Sequence, residues 1–366
     1  MTRTPRGRVR RAIIDTVIAL TVTAAAILVL EGGASALLFL GSYGDTRAPT
    51  PLRRARTVPD TLLGWRNERS ASRPDAYGKG IGLYTAANGF RQQTPSDTTQ
   101  GTAASTTIAC SGDSYTLGYG VSGDQTWCAL LEQAVPGTHA INMGQEAHGL
   151  DQTYLLYRNE GARTPHALQI LAITNLALER LASSDDAGWP KPELKLEKGA
   201  LVAEGVPVSP ATPGEYRGAA IGRLVGELRV VQALRRMPSF DPSVERARAV
   251  DADRPVIEQL IAELQAAHRK AGTQLLLVYL PVQREITDTT FDERRVWLAG
   301  AAKRHGVAFA DLTPPLRALP RDSSDVAYFA RWSPVQPSGA NGQLTTAGHA
   351  WVARMLAGQV APLVRR

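Results

Sequence analysis

A serine that attacks a carbonyl needs an exposed hydroxyl, N–H groups aimed at the developing oxyanion, and a base. The segment Cys110-Ser111-Gly112-Asp113-Ser114-Tyr115 offers the first two. It follows a short apolar run, TTIAC, that reads as a strand. It leads through GDSYTLGYGV toward a helix around Trp127–Gln133. A tight strand-to-helix turn presents Ser114 at the sheet edge, where the serine's own N–H helps bind an oxyanion. Gly112 permits the turn, and Asp113 ties it through side-chain-to-backbone hydrogen bonds. A Gly-Asp-Ser triplet alone is common in surface turns, so its context decides.

The elements around it alternate. AINMG reads as a second strand, Asp151–Gly161 as a helix and ALQILAIT as a third, fully apolar strand. QLLLVYLPV and VAFADL follow as the fourth and fifth strands. Ala219–Arg236 and Val256–Ala271 have amphipathic helical spacing, and Thr346–Leu356 opens the last helix. Pro190–Val208, within an insertion at about 188–215, reads as a hairpin turning on a glycine. Strands alternating with helices imply an α/β three-layer sandwich: a parallel sheet of about five strands with helices on both faces. In such sheets chemistry lies beyond the carboxyl ends of the strands. That places it just after TTIAC, AINMG, ALQILAIT and VAFADL.

The N-terminus has a different character. Five arginines (Arg3, Arg6, Arg8, Arg10, Arg11) precede a long, almost wholly apolar run, Ala12–Leu40, whose stretch from Thr16 onward is interrupted by one charge, Glu31. This length suits one transmembrane helix, with the basic tail of residues 1–11 in the cytoplasm. A cleaved signal peptide is the competing reading, because Ala34-Ser35-Ala36 resembles a cleavage site. An apolar LLFL follows that site directly, which favours an uncleaved, single-pass anchor in the cytoplasmic membrane. Either way the remainder is exported, to the periplasm or the cell exterior. Glu31 reads as a charge tolerated near the outer end of the helix. Residues 41–106, rich in Pro, Gly, Ser, Thr and Arg, form a linker and a loop-rich lead-in, and a domain follows over 107–366.

The net charge is +7, and much of it sits in the N-terminal tail. The remaining excess is dilute, without the dense basic stripe that nucleic-acid binding needs. Two cysteines, Cys110 and Cys128, exclude both a disulfide scaffold and a cysteine metal cluster. In an oxidising compartment they could form one disulfide. Equally, they could be two small buried hydrophobes. No His/Asp/Glu spacing suggests a metal, and no cofactor is called for.

The stretch GDSYTLGYGVSGDQTWCALLEQ resembles the first block of the SGNH (GDSL-like) hydrolase superfamily, in particular its bacterial cell-envelope members. PDTLLGWRNERS and AANGFR resemble the lead-in of those proteins. The resemblance implies a flavodoxin-like fold and ester hydrolysis by Ser, His and Asp. It also implies an oxyanion hole from the serine N–H, a glycine N–H in a second block and an asparagine side chain in a third. In INMGQEAHGLDQ, Asn142, Gly144 and Gly149 match the second block, and the usual oxyanion glycine falls on Ala147. Ala147 keeps a backbone N–H, and Gly144 is the fallback donor. Asn175, after the third strand, takes the asparagine position, although the family's flanking glycine and aspartate are missing. Ending a strand is the plainer role for such an asparagine.

The terminal block departs most. Aligning GANGQLTTAGHAWVA on Leu344, Thr345, Gly348 and His349 puts Asn341 at the aspartate position and Gln343 at the histidine position. An amide has no useful basicity near neutral pH, and Asn341 cannot stabilise an imidazolium. His349 and His148 are the substitute bases to test, and Asp124 and Asp151 the substitute carboxylates. The other histidines, His139, His166, His268 and His305, fall where strand entries and helix ends are expected and read as structural. Two functions follow. One is an extracytoplasmic serine esterase acting on acylated cell-envelope glycans or another ester, with an acyltransferase as its variant. The other is an inactive domain of the same fold that binds a glycan or an envelope partner. The sequence is silent on which protein partner that is.

Overall fold

In the computed structural model the described residues are 5–41, 56–97, 106–186, 189–209, 228–234, 250–320, 328–330 and 342–364. The chain divides into two compact units. Met1–Thr46 and Thr212–Glu245 form one, and Arg47–Ala211 with Arg246–Arg366 forms the other.

The larger unit is built on five parallel strands: β1 (Thr106–Ser111), β2 (Thr138–Asn142), β3 (Leu168–Ile173), β4 (Gln274–Tyr279) and β5 (Ala308–Asp311). Their spatial order is β5-β4-β3-β1-β2, with β1 pairing both β2 and β3. This is the doubly wound, flavodoxin-like order, and its switch point falls between β1 and β3. The central strands β3 and β4 are mostly apolar and buried along their length because both faces are covered, whereas the edge strand β5 is partly exposed. Along β3, Leu171 and Ile173 face one core cluster, and Leu168, Ile170 and Ala172 face the other. The first cluster takes Leu155 and Leu156 of helix α4 (Leu150–Asn159), with Leu260, Ile261 and Leu264 of α7 (Arg254–Ala271). Leu298 of α8 (Asp292–His305) completes it. The second takes Leu131 of α3 (Trp127–Ala134) and Trp351, Val352 and Leu356 of α10 (Thr346–Val364).

This unit also has three shorter helices: α2 (Ser114–Leu117), α5 (Asn175–Leu181) and α9 (Thr313–Arg317). Glu193–Glu197 and Ala200–Glu204 pair as the antiparallel hairpin expected from the sequence. Residues 56–97 carry short antiparallel ribbons that pack on the turn after β2. Trp65 Nε1 donates to Glu146 O (2.8 Å), and Asn67 N donates to Gln145 Oε1 (2.7 Å).

The smaller unit holds α1 (Pro5–Gly41) and α6 (Arg229–Leu234). Within α1, Ile13–Ala34 is long and apolar enough to cross a membrane. The amphipathic span Ala219–Arg236 lies mostly outside the described residues; Arg229–Leu234 is helical.

Candidate serine site

Ser114 is the first residue of α2 and is buried. Helix geometry supplies no internal acceptor for an N–H at that position. Asp113 caps the helix, its Oδ1 accepting from Tyr115 N at 2.9 Å. Its other oxygen accepts from Thr174 Oγ1 at 2.7 Å, with Arg180 Nη1 at 3.6 Å. Burial pushes the Asp113 pKa above the usual carboxylate value; Arg180 and the Thr174 hydroxyl act against that shift.

The glycines here are needed for room. A Cβ on Gly112 would stand 2.2 Å from Thr116 Oγ1 and 3.0 Å from Ala172 O. A Cβ on Gly144 would stand 2.1 Å from Leu117 N, so the second-block turn lies directly against α2. Asn142 fastens the two: its Nδ2 donates to Thr116 O (2.8 Å), and its Oδ1 accepts from Gly144 N (2.9 Å). The Gly144 N–H is therefore engaged by Asn142, which removes the fallback oxyanion donor in this arrangement. Ala147 is buried with φ at +56°. That left-handed conformation suits the glycine the family pattern would put there, and it strains an alanine.

Arg91 supports the far end of α2. Its guanidinium donates to Leu117 O (2.5 Å), Gly118 O (2.6 Å), Val121 O (2.6 Å) and Gly82 O (3.2 Å). A buried cation at a helix C-terminus satisfies carbonyls that the helix leaves open. AANGFR was part of the sequence resemblance, but nothing in its local pattern showed that Arg91 reaches α2. Thr174 and Arg180 were missed for the same reason.

The terminal block reaches the serine. Tyr115 OH donates to Gly342 O at 2.6 Å, and Leu344 bridges Phe329. Gln343 Nε2 donates to Ser114 Oγ at 3.2 Å. Gln343, which the resemblance aligned with the family's histidine, thus touches Ser114. Gln343 Oε1 is buried without a hydrogen-bond partner. Asn341 lies outside the described residues.

The substitute bases are engaged elsewhere. His349 is buried, and its Nδ1 accepts from Trp127 N at 3.1 Å, at the start of α3. Burial, helped by the charge of Arg91, depresses its pKa to about 3. It is a neutral helix anchor, and no hydrogen bond joins it to Ser114. His148 is also buried, with Nε2 2.9 Å from Trp65 O and its ring edge-on to Trp65 at 6.0 Å. A carbonyl only accepts, so Nε2 carries the proton.

Asn175 opens α5, as expected from the strand it follows. Its Nδ2 donates to Glu179 Oε1 (2.6 Å), and its Oδ1 accepts from Arg294 Nη1. Both ends of the amide are engaged away from Ser114, so the expected oxyanion contact is not formed. Asp151 pairs with Lys191, both fully buried, and burial pushes the Asp151 pKa up to about 6 while Lys191 opposes the rise. Asp124 is exposed in the 3₁₀ turn Gly123–Gln125. Cys110, at the end of β1, and Cys128, in α3, are joined as a disulfide with Cα atoms 6.1 Å apart.

No family model matches this sequence, and no curated protein matches it. The chain is similar in structure to a protein from Desulfitobacterium hafniense DCB-2, provisionally described as a lipolytic protein of the G-D-S-L family. Identity is 15% and the TM-score 0.35, covering 69% of this chain and 98% of that one. A likeness this distant carries no conclusion about activity.

Proposed function

We propose that this chain is a membrane-anchored SGNH-type domain that keeps the serine site as a binding surface and has lost ester hydrolysis. The observation that carries this is the Gln343–Ser114 hydrogen bond. A primary amide can donate to a hydroxyl or accept from it, but cannot take up its proton. Without a base, the serine hydroxyl is a weak nucleophile. The ligand class is an acylated glycan of the cell envelope, presented outside the cytoplasmic membrane in which α1 is anchored. The apolar helix and the Cys110–Cys128 disulfide support that exported location.

A second reading, an active esterase, is favoured by the turn itself. Ser114 keeps its place at a helix start, with Asp113 and Gly112 as the chemistry would require.

Hydrolysis of p-nitrophenyl acetate by the full-length protein in detergent separates the two. The binding reading expects wild type and Ser114→Ala to be equally silent. It also expects the double variant Gln343→His, Asn341→Asp to gain Ser114-dependent turnover, on the order of 10²–10⁴-fold over wild type, the usual contribution of a positioned base. Ser114-dependent turnover in the wild type would sink it.

A further inference from the structure

The smaller unit contains more than an anchor. Glu31 lies near the end of the apolar span Ile13–Ala34, three residues before its last position. At about 1.5 Å per residue the span covers about 33 Å, close to the thickness of a hydrocarbon core, and Glu31 sits about 4.5 Å inside its far end. A carboxylate at that depth is costly unless it is hydrogen-bonded. Both of its oxygens are bonded: Oε1 accepts from Arg229 N (2.7 Å) and Oε2 from Val230 N (3.1 Å). These are the first N–H groups of α6. A segment far along the sequence therefore returns to the anchor at interfacial depth.

Most of the residues it brings are apolar. Leu228 and Leu234 at its two ends are each 42% exposed, and Val230 and Val231 between them are half-buried. In sequence they are flanked by Arg223, Arg229, Arg235 and Arg236, against Glu227 alone. Exposed leucines among arginines are the composition of a helix lying in the interface of an anionic bilayer. We infer that Leu228–Leu234 is a second membrane contact, held to the anchor by Glu31 and seated at the surface of a bilayer containing acidic lipid. This rests on α1 being a bilayer-spanning helix.

Both native cysteines are disulfide-bonded, so a single introduced thiol can carry a nitroxide label. The full-length protein is labelled in turn at Leu228→Cys, Leu234→Cys, Leu20→Cys in the anchor and Lys198→Cys in the exposed hairpin turn. Each is reconstituted in vesicles of phosphatidylcholine and phosphatidylglycerol. Collision with lipid-soluble oxygen is compared with collision with a water-soluble nickel chelate. The expected oxygen-to-chelate ratio at Leu228 and Leu234 exceeds that at Lys198 on the order of tenfold, and Glu31→Ala returns it toward the Lys198 value. A ratio at both leucines equal to that at Lys198, with Leu20 immersed, overturns the interfacial contact while leaving the anchor intact. Labels shielded from both reagents mean that protein covers the face, which also overturns it. A Leu20 label in water overturns the anchor and the second contact together. None of these outcomes depends on esterase activity.

Discussion

The turn that carries Ser114 and the block that carries Gln343 meet through hydrogen bonds from Gln343 to Ser114 and from Tyr115 to Gly342, yet they are built differently. The serine turn is held from several directions. Asp113 caps it, Thr174 and Arg180 hold Asp113, Asn142 and Gly144 press on one side, and Arg91 closes its far end. The terminal block makes backbone contacts, through Tyr115 to Gly342 and Leu344 to Phe329, and the side chain it brings to Ser114 is the Gln343 amide. Fold contacts and chemistry are therefore separable here. A backbone-mediated contact survives a change of side chain; proton transfer does not.

Breaking the support of the serine turn should have the largest effect. Arg91→Met leaves several buried carbonyls without their donor, at about 1–3 kcal/mol for each unsatisfied group. We expect a loss of about 4 kcal/mol in urea unfolding with unchanged m-value, whereas Gln343→Met should cost less than about 1 kcal/mol. Equal losses would remove the contrast between the two regions.

Gly144→Ala comes next. The added methyl collides with the backbone N of Leu117 rather than with a flexible side chain, so overpacking should cost about 3 kcal/mol. It should also displace Ser114, visible as altered chemical shifts in α2. A neutral melt would show that the turn yields easily.

The third test concerns His349, which the sequence offered as a base. Its folded pKa of about 3 lies below the unfolded value of about 6.5. The unfolded chain therefore binds a proton that the native state refuses, and the contribution is lost as pH falls from about 6.5 toward 3. At pH 5 this amounts to about 2 kcal/mol relative to pH 7. The stability gap between wild type and His349→Gln should narrow by that amount over this range. A gap independent of pH would mean that the ring is not held neutral.

The smallest effect is a gain. Ala147→Gly relieves a left-handed alanine and should raise stability by about 1 kcal/mol, measured by thermal melting. A loss would show that the Ala147 methyl packs usefully in the turn.

Local pattern was enough for the architecture. The runs at TTIAC, AINMG, ALQILAIT, QLLLVYLPV and VAFADL overlap the five strands of the sheet, because strands of a parallel sheet between two helical layers are rich in apolar residues. The Ser114 turn was legible because Gly-Asp-Ser after a strand is a local signal. Gln343, singled out by aligning the last block on Leu344 to His349, lies against Ser114 in the structure. What local pattern could not show is which distant group each polar side chain meets. Asn175 stood at the expected strand end, yet its amide answers to Glu179 and Arg294. His148 and His349 were near the site in sequence terms, but one ring meets Trp65 and the other Trp127. Arg91 gave no sign of reaching α2. Periodicity determines which face a residue occupies, because that depends only on neighbours along the chain. A hydrogen-bond partner is set by where remote segments come to rest, and that was decided only when the sheet, its helices and the lead-in packed together.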